Sequence, residues 1–317
     1  MAISRAQLVK ELEPGLNALF GLEYARYENE FVEIFTTESS DRAFEEEVLI
    51  TGFGSAPTKT EGQSVNFDQA SESFSARYTH DTVALAFALT EEAVEDNLYD
   101  SLGKRYVKAL AKSMANTKEV KGADVLNNAF SSSFTGGDGK SLIATDHPLS
   151  GGGSAANRAT SMADLNETSL EDALIDISGF TDDRGLTISV QASKMVVPSE
   201  LVFVAERILN SNLRTGTSDN DLNAVKSTGV LPGGYSVNHY LTDPDAFFLL
   251  TSVTDQGDGL KMFQRSGMET SMEPDFATGN IRYKARERYS FGFSYKLIFI
   301  ILMTICLSLL VAFHNST

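Results

Sequence analysis

The order of segments over residues 1–134 constrains this chain more than any other feature. An amphipathic helix is predicted first, followed by an acidic extended arm, a polar hairpin with a glycine-rich tip, and one helix of roughly forty residues. Arm and hairpin carry too few apolar side chains to bury a core of their own. We therefore expect another molecule, most simply a second copy of the same chain, to order them.

The first predicted helix repeats leucines on one face, at Leu8, Leu12, Leu16 and Leu19. Ser4 and Gln7 have the spacing of a capping box at its start. Pro14 should end or kink the helix, because proline has no N–H to donate and its ring clashes with the preceding turn.

The stretch from Glu23 to Glu47 is rich in glutamate and has scattered apolar anchors at Phe31, Ile34 and Phe35. A solvated acidic loop is one interpretation. Structureless loops of this length are uncommon in a compact domain, which favours an arm with a binding role.

The hairpin is predicted to leave through a strand near Val48–Ile50 and to return through the alternating apolar residues Phe74, Ala76 and Tyr78. Its tip contains the flexible or exposed residues Gly52, Gly54, Pro57, Lys59 and Gly62. The next strand, Val83 to Leu89, alternates large apolar residues with alanines. Such a strand fits between a core and a closely packed neighbour.

A long helix should follow, with Thr90 as its cap and acidic residues in its first turn. If it continues to about Ser132, its length is on the order of 60 Å. Gly103 and Gly122 lie inside it and each weakens the prediction of an unbroken helix by roughly 1 kcal/mol. A helix of this length acts as a beam across the molecule and not as the wall of a pocket.

A second region of mixed helices and strands begins after the Gly, Ser and Asp-rich stretch Thr135–Asn157. Helices are predicted near Ser169–Ser178, stopped by Gly179, and from Pro198 and Ser199 onward. Strands are predicted near Leu186–Val190, Lys194–Val197, Tyr235–Tyr240, Phe247–Thr251 and Leu260–Gln264. The fold class is therefore α+β.

Composition excludes some classes of function. The net charge of -17 and pI near 4.6 argue against a nucleic-acid reader that uses a basic surface, because phosphate neutralisation needs clustered Lys and Arg. Cys306 is the only cysteine, so disulfides and thiolate metal clusters are not expected. The first twelve residues do not have the pattern of a secretory signal, and we expect synthesis in the cytoplasm.

Few residues suggest chemistry. Gly139, Lys140 and Ser141 resemble part of a phosphate-binding loop, but the required earlier glycine is replaced by Phe134. His147 is interpreted as a turn histidine held by its neighbour Asp146, since no serine lies in a nucleophile elbow. The acidic pairs Asp219 with Asp221 and Asp255 with Asp258 do not follow the order of a calcium loop, and the four histidines lack metal-ligand spacing. We predict no catalytic residue, no cofactor and no metal.

The strand Ile281–Phe293 has two different faces. One face is apolar apart from Glu287, and the other carries Arg282, Lys284, Arg286 and Arg288. Four cations on one face repel each other unless an acidic surface covers them, and the arm of residues 23–47 could supply it. The alternative is a solvated edge strand protected by charge.

Three stretches carry a resemblance to a known family. They are Gly179–Leu186 (Gly-Phe-Thr-Asp-Asp-Arg-Gly-Leu), Leu231–Asp243 with its Pro-Gly-Gly-Tyr, and Gly279–Phe291 with the cationic strand. Together they resemble the major head subunit family of Mu-like tailed phages over residues 1 to about 294. The resemblance implies the tailed-phage major-capsid fold, in which an arm and an extended hairpin loop reach across neighbouring subunits.

The resemblance also implies a division into domains. Residues 1–44 would form the N-terminal arm, 45–82 the extended hairpin loop, 83–140 and 266–294 the peripheral domain with its spine helix, and 141–265 the axial domain. Some relatives cross-link through a hairpin lysine, and Lys59 is comparably placed, but nothing around it suggests a bonding partner. Residues 295–317 form an apolar tail that departs from the family.

The implied function is a major capsid protein that assembles with itself, as pentamers and hexamers, into the icosahedral shell of a virion in the host cytoplasm. Portal and scaffold or protease proteins, and packaged DNA bound without sequence specificity, are the further partners. The interface residues we expect are Glu28, Glu30, Glu33, Gly52, Gly54, Lys59, Gly62, Arg282, Lys284, Arg286 and Arg288. No enzymatic activity is expected.

Two other functions stay open at this point. Residues 297–313 lack charged side chains and reach the lower limit for a membrane-spanning helix, so a tail-anchored membrane protein is one alternative. A buried terminal segment or a frame change in the gene would explain the same tail. An acidic soluble enzyme with its site between the two regions is the other alternative.

Overall fold

The computed structural model describes residues 5–90, 92, 99–159, 163–214, 221–252, 259–275, 277–294 and 299–302. Within these residues the helices are α1 (Arg5–Tyr24), α2 (Tyr99–Asn127), α3 (Glu167–Ser178), α4 (Val202–Asn210) and α5 (Ala224–Thr228). The strands are β1 (Thr36–Ser39), β2 (Phe44–Ile50), β3 (Glu72–Thr79), β4 (Asp81–Leu89), β5 (His147–Pro148), β6 (Ser154–Ala155), β7 (Ala192–Val197), β8 (Tyr235–Val237), β9 (Phe247–Thr251), β10 (Leu260–Pro274), β11 (Ile281–Phe293) and β12 (Phe299–Leu302).

The first sheet has the strand order β1, β10, β11, β4. β1 runs parallel to β10, and the other two pairings are antiparallel. Helices α1 and α2 pack together over one face of this sheet, where they bury Leu16, Phe20, Leu110, Met114 and Tyr283. These side chains form a hydrophobic core between the two helices and the first sheet. Burial of each large apolar side chain contributes about 1.5–3 kcal/mol to the stability of the fold.

Strand β11 shows the predicted two faces. Residues 281, 283, 285, 287 and 289 are buried, and Arg282 and Lys284 between them are exposed. Strand β4 lies beside β11 as an edge strand, with Ala84 opposite Arg286 and Ala88 opposite Arg282. Its alanine face is exposed in the subunit, so a closely packed neighbour on that face stays a prediction.

The second sheet has the strand order β12, β9, β7, β8. Helices α3 and α4 supply its core, which is built around the fully buried residues Leu170, Ile177, Met195, Phe247 and Leu249. Helix α3 begins in a capping box, in which the Asn166 side chain accepts the Ser169 N–H at 2.9 Å and Ser169 Oγ accepts the Asn166 N–H at 3.0 Å. Gly179 ends the helix, as predicted.

The acidic arm is part of the core of its own subunit. Phe31, Ile34 and Phe35 are buried between the two sheets, and Phe31 and Phe35 each meet the ring of Phe291 edge to face at 5.5 and 5.1 Å. The residues that follow pair with β10 as strand β1. The expectation that only another molecule would order the arm is therefore wrong for this part of it, because three apolar anchors suffice to bind it to its own domains.

The hairpin is confirmed as β2 and β3, which pair antiparallel from Phe44 opposite Thr79 to Ile50 opposite Glu72. Residues 51–71 between them form the tip, in which no strand is assigned. An isolated two-stranded ribbon is at best marginally stable in water. The position of the hairpin therefore depends on contacts at its base and tip, which are described below.

Several expected boundaries differ from the structure. Helix α1 continues through Pro14 to Tyr24 instead of ending there, because Leu16 and Phe20 beyond the proline pack on α2. Helix α2 ends at Asn127, before Ser132, and the expected cap region between Thr90 and Tyr99 lies mostly outside the described residues, as does Ser4. Leu186–Val190 is irregular, with a single bridge from Thr187 to Thr181.

Strands β8 and β10 also differ from prediction in length. β8 stops at Val237, before the predicted Tyr240, and β10 extends ten residues beyond Gln264 to Pro274. The pairing of β10 with the cationic strand β11 requires this length, although bulges near Ser266 shift its register.

The apolar tail is described only at Phe299–Leu302, which forms β12 and pairs antiparallel with β9. These four residues are therefore extended, and the rest of the predicted membrane segment lies outside the described residues. Among the residues that are described, no helix has the length and apolar character needed to cross a membrane.

Candidate subunit interface

The hairpin tip exposes large apolar side chains. Phe67 is 91% exposed, and Ile50, Phe53 and Val65 are each at least 60% exposed. Water-exposed aromatic residues grouped on one projecting segment are typical of a surface that another molecule covers. The predicted interface residues of the tip were its glycines and Lys59 and did not include these apolar residues, although an isolated phenylalanine in a polar hairpin was a usable signal.

The tip is held against its own subunit by Asp68. Its carboxylate accepts the Gly54 N–H at 2.7 Å and two hydrogen bonds from Arg184 Nη2 at 2.8 and 2.9 Å. The backbone N–H groups of Gly54 and Gln69, together with Arg184, lower the pKa of Asp68. Of the other predicted tip residues, Gly52, Lys59 and Gly62 are exposed, and Gly62 uses a positive φ of 83°. Gly54 differs from them, because its N–H binds Asp68 and so has a direct structural role.

The base of the hairpin fits closely against the body of the subunit at two glycines. A Cβ on Gly137 would lie 2.5 Å from the backbone oxygen of Ser75, and a Cβ on Gly292 would lie 2.6 Å from the ring of Tyr78. Tyr78 is buried and packs edge to face on Phe263 with ring centroids 4.8 Å apart. Because no larger residue fits at either glycine without displacement, these contacts fix where the hairpin leaves the body.

The predicted glutamates of the arm have different environments. Glu28 is exposed. Glu30 accepts the His239 N–H at 2.9 Å and lies 2.6 Å from His239 Nδ1. Glu33 forms an ion pair with Lys194. These contacts bind the arm to the second sheet of its own subunit.

The cationic face of β11 is not covered by the arm within the subunit. Arg282 pairs with Asp275, whereas Lys284 and Arg286 make no ion pair among the described residues. On the adjacent strand, Glu269 lies opposite Arg286 and Glu273 opposite Arg282. Docking of a neighbouring copy's acidic arm on Arg282, Lys284, Arg286 and Arg288 stays a prediction.

The histidine predicted to pair with Asp146 has another partner. His147 Nδ1 lies 2.6 Å from Asp138 Oδ2, and Asp146 instead pairs with Lys140. Burial alone would raise the pKa of Asp138, but its hydrogen bonds with His147 and the Lys140 N–H hold it below the ordinary value. Where side chains are described, no group of His, Cys, Asp and Glu has the arrangement of a metal site.

A comparison with families of known proteins identifies the chain. The profile described as phage capsid protein matches residues 73–298, which is more than two thirds of the sequence. The chain belongs to the phage capsid protein family. The matched region includes the returning hairpin strand β3, helix α2, the cationic strand β11 with its neighbours β4 and β10, and the second sheet apart from β12.

The fold of this capsid protein matches solved structures at low sequence identity. A virus-like particle protein from Pyrococcus furiosus has a TM-score of 0.53 at 7% identity, with 91% of this chain and 98% of that chain covered. The capsid of cyanophage P-SCSP1u has 0.52 at 10% identity, with coverages of 86% and 87%. The capsid of a native GTA particle has 0.51 at 14% identity, with 87% and 89% covered.

The capsid protein therefore has the predicted tailed-phage major-capsid fold. A comparison with curated proteins finds no match. The narrower assignment to the Mu-like subfamily stays a prediction. Membership in a capsid family indicates a structural protein that is located in the virion shell.

A buried ionic cluster in the capsid protein was not recognised from the sequence. Glu287, which interrupts the apolar face of β11, lies 3.2 Å from Lys118 Nζ and accepts the Tyr24 hydroxyl at 2.6 Å. Burial, together with Glu287, holds the pKa of Tyr24 well above its ordinary value, so the phenol stays a donor. The cluster joins α1, α2 and β11. Its sequence signal was the one charge on an apolar face, but the partners lie far away in the chain.

Proposed function

We propose that this capsid protein assembles by laying its hairpin over a neighbouring copy, in rings of five and six subunits that close into the shell. The exposed aromatic and aliphatic residues of the tip are the observation that supports this interface, above all Phe67 at 91% exposure. Their burial against a neighbour would supply about 1.5–3 kcal/mol for each large side chain. The proposed role is structural and involves no catalytic step.

In the proposed contact, the acidic arm of one copy also docks on the cationic strand β11 of a neighbouring copy. The exposed carboxylate of Glu28 is complementary in charge to Lys284 and Arg286, which make no ion pair within the described ranges. Exposed pairs of this kind contribute little stability, at about 0–1 kcal/mol each, but they favour the correct orientation of an approaching copy. Lys59 and the glycines Gly52 and Gly62 would let the tip adapt to that copy.

The proposed domains follow the chain's passage between the sheets. Residues 1–44 act as the arm and 45–82 as the hairpin loop. Residues 83–140 are the first segment of the peripheral domain, and the axial domain begins at residue 141. We place the return to the peripheral domain at residue 260 instead of 266, because β10 is one strand that begins at Leu260.

Further partners are proposed from charge and fold. Portal and scaffold or protease proteins would act during assembly, and packaged DNA would be enclosed without sequence-specific contacts. The net charge of -17 suits this role, since a strongly basic lining would bind the genome along its length.

The full-length chain with Phe67→Ser tests the proposed interface, with Phe67→Leu as the matched control that keeps an apolar side chain. Assembly is measured by size-exclusion chromatography with light scattering and by negative-stain microscopy. Wild type and the leucine variant should form capsomers or shells, and the serine variant should need about tenfold or higher concentration, as expected for the loss of one buried aromatic contact. Equal assembly by the serine variant would contradict the hairpin interface. A wild-type chain that stays monomeric at high concentration would contradict the whole function.

A further inference from the structure

One buried lysine lies where the arm and the hairpin meet. Lys261 of β10 is 7% exposed, and its ammonium forms ion pairs with Glu38 of the arm at 3.3 Å and with Glu47 of the hairpin. In the described part of the chain, Glu38 and Glu47 each form an ion pair with Lys261 and with no other residue. Two separate elements of the subunit therefore share a single counterion.

The lysine is held in a rigid part of the structure. Its backbone pairs with Thr36 in the parallel ladder of β1 and with Gly292 in the antiparallel ladder of β11. On the hairpin side, Glu47 also accepts a hydrogen bond from Ser294, whose hydroxyl bonds in turn with Tyr78. A shift of either carboxylate therefore changes the partners of a cation that cannot follow it.

The two carboxylates are not equivalent in exposure. The side chain of Glu38 is 42% exposed and that of Glu47 is 26% exposed, whereas that of Lys261 is 8% exposed. Burial by itself would lower the pKa of Lys261, but Glu47 and Glu38 raise it above the ordinary value. With both carboxylates in place, the ammonium is therefore the least exposed member of the cluster.

We propose that Lys261 keeps a counterion when either the carboxylate of the arm or that of the hairpin moves away, but not when both do. When Glu38 leaves, Glu47 becomes the sole partner and is held more tightly, because the two anions no longer compete for one cation. When Glu47 leaves, Glu38 takes that role. Loss of both carboxylates leaves the buried ammonium without a counterion, which is strongly unfavourable.

Consequently, a subunit can change the direction of one element while the other keeps its place. Lys261, Glu38 and Glu47 belong to one subunit, so their coupling can be measured independently of the proposed assembly interface.

Hydrogen exchange of the full-length subunit, at concentrations below assembly, tests the proposal through a double-mutant cycle. Glu38→Gln should raise the opening constant of β1 a few-fold and leave that of β2 and β3 unchanged or lower. Glu47→Gln should do the reverse. The double variant should open both segments at least tenfold more than the product of the single effects, and adding Lys261→Met to it should reverse most of that excess.

The matched control replaces Glu33, an arm carboxylate whose partner is Lys194. Glu33→Gln combined with Glu47→Gln should give multiplicative effects. Multiplicative effects in the Glu38 and Glu47 double variant would overturn the proposal, as would an excess that persists with methionine at position 261. If the double variant does not fold, recovery of folding on addition of Lys261→Met supports the proposal, and failure to recover refutes it.

Discussion

Glu119 gives a prediction that runs against the usual expectation for acidic residues. It lies on α2, is 4% exposed, and accepts the Phe31 N–H at 3.1 Å through Oε2. Its other carboxylate oxygen is buried without a hydrogen-bond partner in the described residues. Burial raises the pKa of Glu119 to about 7, with Glu30 adding to the rise and the Phe31 N–H opposing it. We predict that Glu119→Gln stabilises the protein at high pH.

The sign follows from proton linkage. The pKa in the folded protein, about 7, is higher than the ordinary value of 4.5 that we assign to the unfolded chain. Between these values the folded state binds more protons, so the stabilisation by this group is complete below 4.5 and is lost as pH rises through 7. The difference between the two pKa values corresponds to about 3 kcal/mol. Glutamine keeps the acceptor for Phe31 and carries no charge at any pH.

Urea unfolding of wild type and Glu119→Gln at pH values from 5 to 8.5 measures this difference. The free energy of unfolding of the variant should exceed that of wild type by about 1 kcal/mol at pH 5 and by about 3 kcal/mol at pH 8.5. Glu119→Ala should be less stable than the glutamine variant throughout, because it also removes the acceptor for the Phe31 N–H. A difference between glutamine variant and wild type that stays constant with pH would refute the reasoning.

Two further predictions concern the buried ion pair of Lys118 with Glu287 and the close fit at the hairpin base. Lys118→Met leaves Glu287 as an uncompensated buried charge, so the free energy of unfolding should fall by about 3–5 kcal/mol in a denaturant titration; a loss below about 1 kcal/mol would show that the pair is not buried in solution. Gly137→Ala places a methyl group against Ser75 and should raise protease cleavage in the hairpin, whereas Gly52→Ala, with open space around it, should not. Equal cleavage of the two variants would contradict the close fit at the hairpin base.

Local sequence patterns predicted the parts of the fold in which burial follows from residues close together in the sequence. The alternation from Ile281 to Tyr289, the anchors Phe31 and Phe35, and the helix stop at Gly179 each depend on neighbours in sequence, and the structure confirms them. The alternation does not continue to Phe293, because Ser290 is buried as well. The irregular Leu186–Val190 shows the limit of this reasoning, because an alternating apolar pattern forms a strand only where a partner strand lies beside it.

The candidate interface was less predictable, since its contacts join distant residues. Glu287 stood out on an apolar face, but nothing local to it indicated Lys118 or Tyr24. His147 was assigned to its sequence neighbour Asp146, although the folded loop brings Asp138 closer. Arg184 lies in a stretch that was singled out for its resemblance, yet its pairing with the hairpin tip required the fold.

The contact between Asp68 and Arg184 affects the entropy of assembly. It ties the hairpin tip to the loop that follows helix α3 in the same subunit. If the hairpin docks on a neighbour as proposed, this preorganisation would reduce the conformational entropy lost on docking. Both side chains are partly exposed, at 41% and 29%, so salt screens their attraction. Ionic strength should therefore set how rigidly the free subunit presents its hairpin, and with it the association rate of the first pair of subunits.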